Sequence, residues 1–117
     1  MHANTTPVTS FTICNAERRA GRGMIDPIHV VLYEPVKGTG SLTITCYGLA
    51  WTCWWGAMGD CHVREFLRSV DAGYVVGCLV RGQGQFQKAR RTQDRERDYL
   101  VDIVAAVQRA LAAGVPA

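Results

Sequence analysis

The chain has 117 residues, 48% hydrophobic and 20% charged, with a net charge of +3 at neutral pH. That length holds one domain with a sizeable core, residues 1–117, and excludes two. The composition is that of an ordinary globular protein, and no apolar run approaches the roughly 20 residues of a bilayer span, so no membrane partner is expected.

Residues 1–8 are polar and read as a flexible terminus; no apolar signal segment is visible up to Ser10. Thr9 to Cys14 alternates, with Phe11 and Ile13 on one face, and predicts a first strand. Asn15 to Ile25 carries Arg18, Arg19 and Arg22 around Gly21 and Gly23 and reads as a mobile basic loop. After Pro27, Ile28 to Tyr33 alternates again, with Ile28, Val30 and Leu32 on one side and His29, Val31 and Tyr33 on the other.

Glu34 to Gly40 is a turn, built on Pro35, Gly38 and Gly40. Leu42 to Tyr47 predicts a third strand whose threonines mark a wet face, the pattern of an antiparallel sheet covered on one side. Residues 41–59 form the densest apolar stretch and hold all three tryptophans. Trp51 to Trp55 fits a further strand bent at Gly48, because the flanking glycines leave too short a span for a helix.

Asp60 is the expected cap of a helix reaching Ser69, with Val63, Phe66, Leu67 and Val70 inward and Arg64 and Arg68 together outside. Asp71 is expected to cap a second helix that ends at Gly82, where a basic linker of about 82–93 begins. In the last helix Leu100, Ile103, Val104, Val107 and Leu111 form one stripe, with Asp98, Asp102 and Arg109 away from it. Its start is expected at Asp94 or nearer Gln87, and its end at Gly114 and Pro116. Strands first and helices after predict an α+β fold: an antiparallel sheet of three to four strands, two or three helices on one face, and an amphipathic C-terminal helix.

The chemistry-bearing residues form no recognisable catalytic set. Cys46, Cys53, Cys61 and His62 lack the paired Cys-x2-Cys spacing of structural zinc sites, with His29 a further neighbour, so no metal ligand is assigned. The five cysteines are odd in number and irregularly spaced, and are expected as reduced, mostly buried thiols. Cys61 at a helix start would have an acidified thiol, but neighbouring His62 points about 100° away and no orienting carboxylate can be named. Gly38-Thr39-Gly40-Ser41 has the composition of a phosphate loop yet precedes a strand, so it reads as a hairpin turn. No catalytic residue and no cofactor is assigned.

What remains is a capacity to bind. Trp51 and Trp55 are expected in the core, and alternation sends Trp54 toward the wetter face, where it could stack a base or anchor a protein. Residues 81–99 hold six cations against three carboxylates, a local excess equal to that of the whole chain. Arg18, Arg19, Arg22, Trp54, Lys88, Arg90, Arg91 and Arg95 are the candidate partner contacts, because arginine and aromatic residues dominate interface energetics. The competing expectation is a solvated helix face with pairs such as Arg90 and Asp94.

Val31-x-Tyr33-Glu34-Pro35-x-Lys37-Gly38-x-Gly40-Ser41-x-Thr43-Ile44-Thr45-Cys46-Tyr47-Gly48-x-Ala50-Trp51, then Trp55 to Gly59, Glu65-Phe66-Leu67 and Asp71-x-Gly73-Tyr74, resembles a group of small proteins encoded by tailed phages and prophages. The likeness covers about residues 27–80, with a weaker echo from Tyr99 to Leu111, and carries over no site residue. It implies an accessory protein in the host bacterial cytoplasm that binds and inhibits a host protein or ribonucleoprotein complex, with anti-CRISPR inhibitors as one such class. The alternative is a nucleic-acid-binding accessory protein that sets its arginines on phosphates, and the third is a thiol or metal enzyme around Cys61, His62 and Cys53.

Overall fold

The first three strand segments alternate apolar and polar residues, as a pleated chain requires when it buries one face, and the fourth, tryptophan-rich segment pairs with the third. The computed structural model describes residues 1–82 and 90–114, without the side chains of 90–93. The strands are β1 (Thr9–Ile13), β2 (Ile28–Tyr33), β3 (Gly40–Cys46) and β4 (Leu49–Trp55). They form an antiparallel meander in the order β1-β2-β3-β4, in a register that pairs Val30 with Phe11 and Ile44, and Ile44 with Trp51. Helices α1 (Val63–Ser69), α2 (Ala72–Arg81) and α3 (Arg90–Ala112) complete the α+β fold.

The core lies between the helices and one sheet face. Ile28, Val30, Leu32, Leu42, Ile44, Trp51 and Trp55 meet Val63, Leu67, Val75, Leu79, Leu100, Ile103 and Val107 there. Both buried indoles have partners for their N–H groups, Trp51 on Glu96 at 2.7 Å and Trp55 on the Tyr74 hydroxyl at 3.2 Å. The Gln108 amide donates to the carbonyls of Leu67 and Val70 at 2.9 and 2.8 Å, tying α3 to the end of α1.

Several expectations are corrected. The third strand does not reach Tyr47. Tyr47 and Gly48 both take positive φ, 55° and 72°, as the two-residue turn between β3 and β4. Tyr47 is held in that costly conformation by its side chain: the hydroxyl accepts the Asp26 N–H at 3.1 Å and the ring meets Tyr99 edge-on at 4.8 Å.

Helix α1 is capped by His62, not Asp60. The segment before it is pinned to the preceding turn, with the Gly38 N–H on the Cys61 carbonyl and the Met58 N–H on the Gly38 carbonyl, both at 2.9 Å. Asp60 is left exposed beside Lys37 at 3.4 Å. Arg64 does not lie outside with Arg68; it folds onto Glu34, with Nη2 on Oε1 at 3.0 Å.

The N–H of Gly73 donates to the Asp71 carboxylate at 2.9 Å, the expected cap of α2. Gly82 ends α2 against the Thr52 carbonyl, with no room for a Cβ between them. Helix α3 begins at Arg90, four residues before Asp94, so the end of the expected linker is helical; residues 83–89 lie outside the described residues. Asp102 is not on a wet face of α3, since it is buried at 3% exposure. No helix among the described residues is long and apolar enough to cross a membrane.

Candidate functional site

Opposite the helices, the sheet presents Ser10, Thr12, His29, Val31, Tyr33, Ser41, Thr43, Thr45, Ala50, Thr52 and Trp54. No Asp, Glu, Lys or Arg is among them. Strand register sets these side chains in rows across the sheet, one of them Ser10, Val31, Thr43 and Thr52. Their polar tips bond to one another: Thr43 Oγ1 lies 3.1 Å from Thr52 Oγ1, and Thr12 Oγ1 lies 3.0 Å from His29 Nδ1.

At one end the Tyr33 and Trp54 rings lie 6.4 Å apart, inclined by 36°, on either side of the small Ser41. Trp54 is 55% exposed. A half-exposed indole next to a second ring, on a rigid sheet, resembles the anchor of a protein interface more than a core residue left outside.

Around the edge formed by β4, a hollow of about 520 Å³ opens between that strand and α2. Trp54 and Tyr74 stand at its rim, and Cys53, Cys78 and Arg81 also line it. Arg81 Nη2 lies 3.4 Å from the Cys78 sulfur. Burial, and then the neighbouring Cys78, push the Cys53 thiol up to about 12.

The arginines of the β1–β2 loop are engaged elsewhere, on α3. The loop is folded, with Glu17 bridged to Met24 and the Arg18 N–H on the Gly23 carbonyl at 2.8 Å. It closes over α3. Arg18 Nε meets Asp102 at 2.9 Å and its Nη2 meets Asp98 at 3.1 Å, while the guanidinium sits 4.5 Å from the Tyr99 ring centre. Arg19 spans the same two carboxylates, and Arg22 meets Asp98 at 2.8 Å. Burial pushes the Asp102 carboxyl up, but hydrogen bonds from Arg18 and Arg19 outweigh it and hold the group below the usual carboxylate range. Asp98 is depressed by the same balance, with Arg19 and Arg22 the main opposing partners.

The sequence-derived contact residues therefore do not converge on one surface. Trp54 is on the open sheet face; Arg18, Arg19 and Arg22 are engaged with α3; Arg95 is exposed on α3. Lys88 and the side chains of Arg90 and Arg91 fall outside the described residues.

Cys53 and Cys78 share the hollow, but the thiols do not gather around His62. Cys46 is buried on β3 with Sγ 3.5 Å from the Asp26 carbonyl, its thiol pushed up to about 11 by burial, and among the described residues no group of three or more His, Cys, Asp or Glu could hold a metal. A carboxylate does face His62, with Glu34 Oε2 4.0 Å from Nδ1, but Arg64 occupies it with both a side-chain and a backbone N–H. Sequence reasoning missed Glu34 and the Cys53–Cys78 proximity, because both depend on contacts between distant segments.

Residues 1–94 match Phage_phiTE_072, a phage family. The chain belongs to that phage family. The match covers the whole sheet, α1, α2 and the start of α3, and takes in the arginine loop as well as the 27–80 segment. No curated protein and no solved structure matches the chain significantly.

Proposed function

We propose that this phage-family protein is an accessory protein that docks its open sheet face on a protein surface of a host complex and thereby inhibits that complex. Inhibition of a CRISPR–Cas effector is one form such a block would take. The observation that carries the reading is the uncharged eleven-residue sheet face ending in Tyr33 and Trp54. Removing charge from a surface lowers the cost of desolvating it, and exposed aromatic residues supply the anchor.

The same surface argues for a protein rather than a nucleic acid as the occupant. Phosphate recognition needs cations, and this face has none. The arginines of the β1–β2 loop already have their charge offset by Asp98 and Asp102, which weakens their pull on phosphates.

The test is capture of host complexes with the wild-type chain and with Trp54→Ala and Thr52→Glu, followed by a titration of the captured component. Loss of binding in both variants, with wild-type melting behaviour, supports the reading. Retained binding in both variants sinks it, as does binding to nucleic acid that falls steeply with salt and survives both changes.

A further inference from the structure

Beside the sheet face, the hollow at the edge of β4 holds an arrangement that binding alone does not use. Cys53 points inward from β4, Cys78 comes from the middle of α2, and both line the hollow. Cys78 is close enough to Cys53 to help push its thiol up. Arg81, one turn further along α2, places its guanidinium 3.4 Å from Cys78 Sγ. Gly82 seats the end of α2 directly on the Thr52 carbonyl, which holds helix and strand in this relation.

We infer that Cys53 and Cys78 form a redox-active dithiol, with Cys78 the attacking sulfur, that reacts through the hollow with small disulfides such as oxidised glutathione. The two thiols have different environments. Arg81 Nη2, 3.4 Å from Cys78 Sγ, is placed to stabilise the negative charge that sulfur carries during attack. Cys53 is held protonated by burial and by Cys78, which together outweigh the attraction of Arg81, as suits a thiol that reacts second.

In the first step Cys78 thiolate attacks one sulfur of the disulfide. An S–S bond forms at Cys78 Sγ, the original S–S bond breaks, and one small thiolate leaves and takes up a proton. In the second step Cys53 gives its proton to solvent and attacks Cys78 Sγ, expelling the second small thiolate, which is protonated in turn. The protein loses two electrons and two protons to the small disulfide, which becomes two thiols. The product is a covalent bridge between β4 and α2 in the hollow that Trp54 and Tyr74 also line.

This inference does not depend on the docking role of the sheet face. The test uses the full chain with the exposed Cys14 changed to Ser, equilibrated with mixtures of reduced and oxidised glutathione, then alkylated and mapped by mass spectrometry. The expected result is a linked Cys53–Cys78 peptide, with Cys46 and Cys61 alkylated. Cys53→Ser should stop the reaction at a glutathione adduct on Cys78, and Arg81→Gln should slow adduct formation roughly threefold or more. Absence of the linked peptide overturns the inference, and so does an adduct trapped on Cys53 rather than on Cys78. Because the linked peptide is read in a chain with both thiols intact, an unstable Cys53→Ser variant would not obscure the result.

Discussion

The two sides of the sheet use polar residues in opposite ways. On the helix side, three arginines gather around two aspartates of α3, and Asp102 is buried among them while Arg19, Arg22 and Asp98 stay half-exposed. On the open side there are no formal charges, and the exposed groups are hydroxyls, one imidazole and two aromatic rings. Arg18, Arg19 and Arg22, three of the contact candidates in the sequence, are thus engaged with carboxylates of α3. The surface proposed for a partner is the one that reads in the sequence as the plain wet face of a sheet.

Removing Asp102 should break this contrast most severely. Asp102→Ala leaves the part-buried Arg18 with less compensation, and an expected loss of about 2–4 kcal/mol should be seen in urea unfolding. Arg22→Ala removes a single exposed pair and should cost about 0.5 kcal/mol or less. Equal effects from the two would mean that the cluster is not organised around Asp102.

Gly82→Ala comes next. The added methyl has no space against the Thr52 carbonyl, so β4 and the end of α2 must separate, at an expected cost of roughly 1–3 kcal/mol in the same measurement. Any change confined to the β4 edge should also show in the fluorescence of Trp54 and Trp55, which line the hollow there.

Acid should act on the helix side of the comparison. Asp98 and Asp102 titrate below the usual range when folded, so in acid the unfolded chain binds protons first. Their stabilisation is complete above the unfolded carboxylate value of about 3.9 and is lost as pH falls toward the folded values. Asp102→Asn should flatten that decline. A decline of unchanged slope would show that other carboxylates control it.

The smallest effect on stability should come from the open face. Trp54→Ala should change the unfolding free energy by about 0.5 kcal/mol or less, because Trp54 is half-exposed and lies outside the core. A large loss would mean that Trp54 supports the sheet rather than a partner.

Much of the architecture was readable from alternation. Phe11, Val30, Ile44 and Trp51 occur at the spacing of strands with one buried face, and they lie side by side across the sheet. The helical stripe from Leu100 to Leu111 was equally plain because it is a local pattern. What escaped is what long-range contact decides. Asp102 lies 84 residues from Arg18, so its burial has no signature in the residues around it. The start of α1 moved from Asp60 to His62 because the Gly38 turn holds the intervening segment, an effect no cap preference contains. Cys53 and Cys78 looked like scattered small hydrophobes until β4 and α2 packed together.

The central claim is that the uncharged sheet face, not the arginine loop, makes the partner contact. It is tested most directly by titrating one captured host component with Thr52→Glu and Arg22→Ala in parallel. The account predicts that Thr52→Glu weakens binding by about 2 kcal/mol or more, roughly thirtyfold, while Arg22→Ala leaves affinity nearly unchanged. The reverse order, with Arg22→Ala abolishing binding and Thr52→Glu tolerated, would contradict it.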